Sequence, residues 1–155
     1  MAEAIGLVAS IITVVGLAGQ LIQGCQNIKA WVGNFNSAPK DIQNLIRELN
    51  SIEESAKITN TLRIKIDRRE VDLQLTPALQ QCLDAVEELR KYIVNADVVF
   101  QETNHSRKPR GWQRLKFMFS KQVIQASVDR LSRAKVQLMG VQSNVSLYDN
   151  ALLVS

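Results

Sequence analysis

Between Ala4 and Ile28 the chain carries no charged side chain, and ten Leu, Ile or Val residues fall between Ala4 and Ile22. Ala2, Gly6, Ala9, Thr13, Gly16 and Gly19 recur at steps of three and four, which sets small residues near one helical face. Gly24 follows after a longer step and fits that face less well. Large aliphatics occupy the other faces, so the segment reads as a helix that is apolar nearly all round. It runs from about Ala2 to about Val32, with Gly33 as its stop signal.

The next stripe is narrower. Ile42, Leu45, Ile46, Leu49, Ile52 and Ala56 repeat at helical spacing, while Asp41, Gln43, Arg47, Glu48 and Glu53 take the wet face. Ser37 is a natural N-cap for this helix, with Pro39 in its first turn. Residues 61–75 are ambiguous. Leu62, Ile64 and Ile66 alternate like a strand, but an isolated strand has no partner, so a connector with a helical turn is expected. A third helix restarts at Thr76-Pro77 and buries Leu79, Cys82, Leu83, Val86, Leu89, Ile93, Ala96 and Phe100. Residues 103–110 are polar and basic and read as a loop. A fourth helix opens near Gly111 with Trp112, Leu115, Phe117, Met118 and Phe119. It continues through Ile124, Val128, Leu131, Ala134, Leu138, Val141, Val145 and Tyr148. The pattern predicts an all-α fold: a single up-and-down helical bundle of about four main helices, with a long apolar N-terminal helix, over residues 1–155.

Composition sharpens this picture at three points. An apolar share of 46% argues against disorder. Cys25 and Cys82 sit in no motif spacing and read as buried free thiols. Charge is unevenly spread. Residues 40–103 hold nine basic and twelve acidic groups, whereas residues 107–135 hold nine basic groups against Asp129 alone. A basic block interleaved with Trp112, Phe117 and Phe119 suits an anionic headgroup layer. It is also compatible with nucleic acid or with a plain solvated helix face, but no nucleic-acid reading motif accompanies it. The sole early charge is Glu3, so the chain start lacks the basic region of a secretory signal.

Catalytic chemistry finds little support. His105 has no cysteine or carboxylate cluster at ligand spacing, so no metal is expected. No phosphate-cradling glycine loop is present, so no cofactor is expected. Ser10 has no base beside it. Glu53 with Glu54 and Glu87 with Glu88 are adjacent pairs, which diverge on a helix rather than forming a dyad. An enzyme is therefore not expected.

The N-terminal segment is the candidate functional centre. Ala4 to Ile22 spans 19 residues, about 28 Å as a helix against a hydrocarbon core of about 30 Å. Its ten large aliphatics favour insertion by about 4 kcal/mol together. The glycines, Ser10, Thr13 and Gln20 erode that sum, so the helix stands at the margin between a bundle core and a bilayer. Leu7, Val8, Ile11, Ile12 and Val15 are the candidate lipid-facing residues. The small residues would supply close helix packing in lipid. Arg107, Lys108, Arg110, Arg114, Lys116 and Lys121 are candidates for anionic-lipid contact.

Three blocks resemble the fungal HeLo-like domains. They are the opening Met1-Ala2-Glu3-Ala4-Ile5-Gly6-Leu7-Val8-Ala9-Ser10-Ile11-Ile12, then Ser37-Ala38-Pro39-Lys40-Asp41-Ile42 with Leu45-Ile46-Arg47-Glu48-Leu49, then Trp112-Gln113-Arg114-Leu115-Lys116-Phe117-Met118-Phe119. The resemblance implies a helical bundle at the N-terminus of fungal NOD-like receptors and cell-death effectors, similar to the HeLo domain and to the bundle of the mixed lineage kinase-like necroptosis executor. It implies programmed cell death by homo-oligomerisation and insertion of the N-terminal helix into the membrane. Gly6, Gly16, Gly19 and Gly24 would then stand for the family's glycine zipper. Its implied partners are anionic membrane lipids, further copies of the chain, and a C-terminal receptor or amyloid-signalling region of a longer protein. The implied location is cytoplasmic at rest and the plasma membrane on activation. The alternative is a non-lytic interaction and oligomerisation module of such a receptor. No nucleic acid is expected.

Overall fold

The computed structural model describes residues 2–103 and 111–154, with side chains described for residues 13–95, 97–98 and 111–147. It is all-α: α1 (Ala2–Val32), α2 (Lys40–Lys65), α3 (Arg69–Thr103), α4 (Gly111–Met118) and α5 (Lys121–Val154). α1 packs on α2 and α3, and α5 packs on the same two helices from the opposite side. The four long helices thus form the expected bundle, with α1 and α5 on one diagonal.

The stripes read from the sequence are the core. In α1 the inward positions are Val14, Ala18, Leu21, Cys25, Ile28 and Val32; in α2 they are Ile42, Leu45, Ile46, Leu49, Ile52 and Ala56. Each fully buried Leu or Ile contributes about 1.5–3 kcal/mol. That is enough for α2 to form although its N-cap is Pro39, which makes no side-chain cap bond, rather than the expected Ser37. α1 ends as expected. Gly33 takes φ +75°, a left-handed conformation that glycine adopts without a Cβ penalty, and its N–H bonds back to the Lys29 carbonyl.

Two expectations are corrected. First, residues 61–75 are almost wholly helical. α2 runs on to Lys65 and α3 begins at Arg69, so Pro77 lies inside α3 rather than at its start. An interior proline costs about 3 kcal/mol. Burial of Val71 and Leu75 upstream of it offsets that cost. So does a buried ion pair between Arg63 and Asp72, in which Arg63 Nη2 donates to Asp72 Oδ2 at 3.0 Å. Arg63 Nη1 also donates to the Ile66 carbonyl and to Asp67, both at 3.1 Å, stitching the turn closed. Second, the last helix is two helices, broken at Phe119-Ser120. Ser120 accepts a bond from the Val123 N–H through its Oγ, starting α5 anew. Of the expected loop at 103–110, Thr103 instead closes α3, and the remaining positions lie outside the described residues.

The registers follow from polar contacts. α5 runs parallel to α2. Lys135 pairs with Glu48 at 2.9 Å. Gln142 donates to the Ser55 carbonyl at 2.7 Å and to Thr59 Oγ1 at 2.9 Å, all three residues being buried. α1 runs antiparallel to α2, because only residues 33–39 join the two helices and they pack side by side, with Lys29 reaching both Asn50 and Glu53. It runs parallel to α3, because Gly24 lies against Val86 and, further along both helices, Trp31 Nε1 donates to Asp97 at 2.8 Å.

Candidate functional site

The register of α1 against α2 leaves part of α1 without a neighbour on that side. Lys29 stands beside Glu53, and α2 ends twelve residues later at Lys65. On antiparallel helices of equal rise, Lys65 is then level with about residue 17 of α1. The backbone of α1 before that point continues for roughly 20 Å past the end of α2. Its inward positions among the described side chains begin at Val14.

From Thr13 onward α1 has two distinct faces. Its exposed positions are Thr13, Val15, Gly16, Gly19, Gln20, Gln23, Gln26, Asn27 and Ala30, none of them charged. A surface helix normally carries Lys, Arg, Asp or Glu on its wet face. Here that face has only small and amide side chains and the aliphatic Val15, with Gln23 donating to Asn27 at 2.8 Å. A Cβ built on Gly16 or Gly19 would meet nothing within 4 Å. Gly24 differs: its Cβ position is 3.0 Å from Val86 Cγ1 of α3. The glycine that fitted the sequence stripe least well is therefore the one used for close packing, and Gly16 and Gly19 lie on the open face. The side chains of Gly6, Leu7, Val8, Ile11 and Ile12 lie outside the described residues. Among the described residues, no helix is long and apolar enough to cross a membrane.

The basic candidates divide similarly. Arg107, Lys108 and Arg110 lie outside the described residues. Arg114 pairs with Asp97 of α3 and lies over the Trp31 ring, 5.4 Å from its centroid. Lys116 bonds the buried carboxylate of Asp41 at 2.8 Å. Further along, Arg130 pairs with Glu88 and Lys135 with Glu48. Much of the basic block thus meets the acidic groups of α2 and α3. The sequence counts show both populations but not that they face each other. Lys121 is exposed at the start of α5. With Lys116 it borders a cleft of about 440 Å³ whose wall also includes Lys40, Asp41, Asn44 and Gln125.

α4 ties this end of the bundle together. Trp112 Nε1 donates to the Asn34 carbonyl at 3.1 Å. Gly111 rests on the backbone of Trp31, where a Cβ would lie 2.8 Å from its carbonyl carbon. Trp31, Asp97 and Asp41 are the contact partners of Arg114 and Lys116, and Asp41, expected on the wet face of α2, is buried instead. Each lies on a different helix from the base it holds, and no local spacing signals it.

Cys25 and Cys82 are free and buried, as the sequence suggests. Burial pushes both thiols up to about 12, and Glu53 adds to the effect at Cys25. No group of three or more His, Cys, Asp or Glu among the described residues is placed to hold a metal ion.

Over residues 2–149 the chain matches the family model described as pigment biosynthesis cluster protein PigL N-terminal. It belongs to that family, which is consistent with a fungal HeLo-like helical domain. No curated protein and no solved structure matches the chain.

Proposed function

We propose that this member of the PigL N-terminal family is a HeLo-like membrane-acting domain. It binds anionic lipid, oligomerises, and disrupts the bilayer with the first turns of α1, as a cell-death effector rather than as an enzyme. The observation that carries the reading is the uncharged outer face of α1. The face is exposed, yet between Thr13 and Ala30 it holds no charge whose desolvation would oppose entry into lipid. Two features support it. The run from Ala4 to Ile22 is the only stretch whose aliphatic content approaches the balance for insertion. The register of Lys29 on Glu53 also carries the start of α1 beyond α2, so these turns can leave without dismantling the α2 contact. Among the described side chains of α1, the core positions begin at Val14.

The test is dye leakage from phosphatidylcholine vesicles doped with an anionic lipid, using the full chain and its Leu7→Glu/Ile11→Glu variant. Two charges in the inserting segment cost several kcal/mol in a bilayer. Leakage is expected to vanish in the variant while its circular dichroism and urea midpoint stay unchanged. Equal leakage from both proteins overturns the reading.

The second reading, a non-lytic oligomerisation module, is favoured by a separate observation. Arg114 and Lys116 are held in contacts within the domain, while Gly16, Gly19, Gln20 and Gln23 present a face on which another helix could pack closely. Its mark is a stable oligomer in solution, dissociated by Gly16→Leu or Gly19→Leu, without vesicle leakage at any lipid composition.

A further inference from the structure

We infer that the cleft between the starts of α2 and α5 is a binding site for a phosphomonoester group. Three helices each contribute one ammonium to it: Lys40 from α2, Lys116 from α4 and Lys121 from α5. One carboxylate opposes them. Asp41 is buried, with Lys116 at 2.8 Å on Oδ2 and its own neighbour's Ile42 N–H at 3.0 Å on Oδ1. Both of its oxygens are engaged inside the wall, so the carboxylate orients Lys116 and cancels one charge.

The remaining balance in the cleft is two positive charges, three ammoniums against one carboxylate. A phosphomonoester carries about −1.5 to −2 at neutral pH, so it neutralises this balance. A phosphodiester, with about one negative charge, leaves it half met. Asn44 of α2 and Gln125 of α5 also line the cleft, Gln125 Nε2 donating to Asp129 Oδ1 at 3.0 Å. The N-terminus of α2 opens on the same space, with its Ile42 N–H held by Asp41 Oδ1, and the helix dipole adds a positive contribution there. The volume of about 440 Å³ takes a phosphate together with part of the group that bears it. Where the phosphate belongs to a lipid, the inference deepens the membrane reading; where it belongs to a soluble molecule, it stands apart from it.

The test titrates the full chain with methyl phosphate and with dimethyl phosphate, followed by NMR. A parallel arm measures flotation with phosphatidylcholine vesicles containing phosphatidate or, at equal mole fraction, phosphatidylglycerol. Methyl phosphate is expected to shift Lys40, Asn44, Lys121 and Gln125 resonances saturably and to bind more tightly than dimethyl phosphate. Lys40→Gln and Lys121→Gln are exposed changes expected to fold normally. Each weakens binding several-fold, and together about tenfold, while Lys91→Gln on α3 has no effect. Preferential flotation with phosphatidate assigns the group to a lipid headgroup. Binding of methyl phosphate without vesicle association assigns it to a soluble phosphate. Absence of saturable binding, equal affinity for the monoester and diester, or unchanged binding in the double variant overturns the site. Vesicle leakage enters none of these outcomes, so failure of membrane disruption leaves this result readable.

Discussion

Gly111→Ala probes the contact that fastens α4 to the end of α1. The new Cβ would lie 2.8 Å from the Trp31 carbonyl carbon and 3.1 Å from Trp31 Cε3. The Trp31 carbonyl oxygen lies closer still. Non-bonded heavy atoms rest at about 3.5–4.0 Å, so α4 must move by roughly 1 Å or more against backbone that cannot swing aside. Overpacking of this kind costs about 1–3 kcal/mol. The movement also strains the Trp112 bond to the Asn34 carbonyl, worth about 1 kcal/mol, and the Arg114 contact with Trp31, worth about 0.5–1 kcal/mol. Better helix propensity returns at most about 1 kcal/mol. The net expectation is a loss of about 2–4 kcal/mol. With a urea slope of about 2–3 kcal/mol/M, the unfolding midpoint falls by about 1 M. Gly140→Ala is the internal control. Nothing lies within 4 Å of its Cβ position in the middle of α5, so the same substitution should stabilise by about 0.5–1 kcal/mol. A Gly111→Ala midpoint within 0.2 M of the parent's, or no difference in sign between the two variants, refutes the packing argument.

Three further outcomes follow from buried polar groups. Asp72→Asn leaves Arg63 charged and poorly paired in a site where both side chains are 3% exposed, and should cost about 3–5 kcal/mol in urea unfolding; the double change Arg63→Leu/Asp72→Leu should cost less, and parity between the two would contradict the ion-pair account. Burial alone would raise the Glu53 carboxyl, but the bond and charge of Lys29, with help from Gln26 and Lys57, hold it below its ordinary 4.5. A depressed carboxylate stabilises the fold above its unfolded value and loses that contribution as pH falls through the lowered one. Melting temperature should therefore drop on acidification below about pH 4.5, and drop less in Glu53→Gln. Cys25 and Cys82, both pushed up to about 12 by burial, should react with an aromatic disulfide reagent at pH 8 only as fast as the fold opens; immediate reaction of both thiols in the native protein would count against their burial.

The helical stripes were legible because each long helix buries a continuous aliphatic row. Ile42 to Ala56 and Leu79 to Ile93 appear in the core as the spacing requires. The turn between α2 and α3 was not legible. Leu62, Ile64 and Ile66 alternate in hydropathy, but Ile64 is 79% exposed and Ile66 is buried beyond the helix end. What extends the helices there is the Arg63–Asp72 pair, a contact nine residues apart that no hydrophobic period reports. Pro77 misled for a related reason, since tertiary burial upstream outweighed its local cost. In the candidate site, the charge-free run of α1 was visible directly. Which of its glycines packs was not, because that depends on Val86 of another helix. The basic block was equally visible as composition, yet Asp41, Asp97, Glu48 and Glu88 meet it only once the bundle forms.

The most direct test of the membrane account places an environment-sensitive fluorophore on Ala9→Cys, with Gly140→Cys as the reference, in a chain whose native thiols are replaced by alanine. On addition of anionic vesicles, the account predicts a blue shift at residue 9 and quenching there by spin labels carried on the acyl chains, with neither effect at residue 140. An unchanged spectrum at residue 9 when the protein is bound to vesicles, or quenching equal at both positions, would contradict entry of the first turns of α1 into the bilayer.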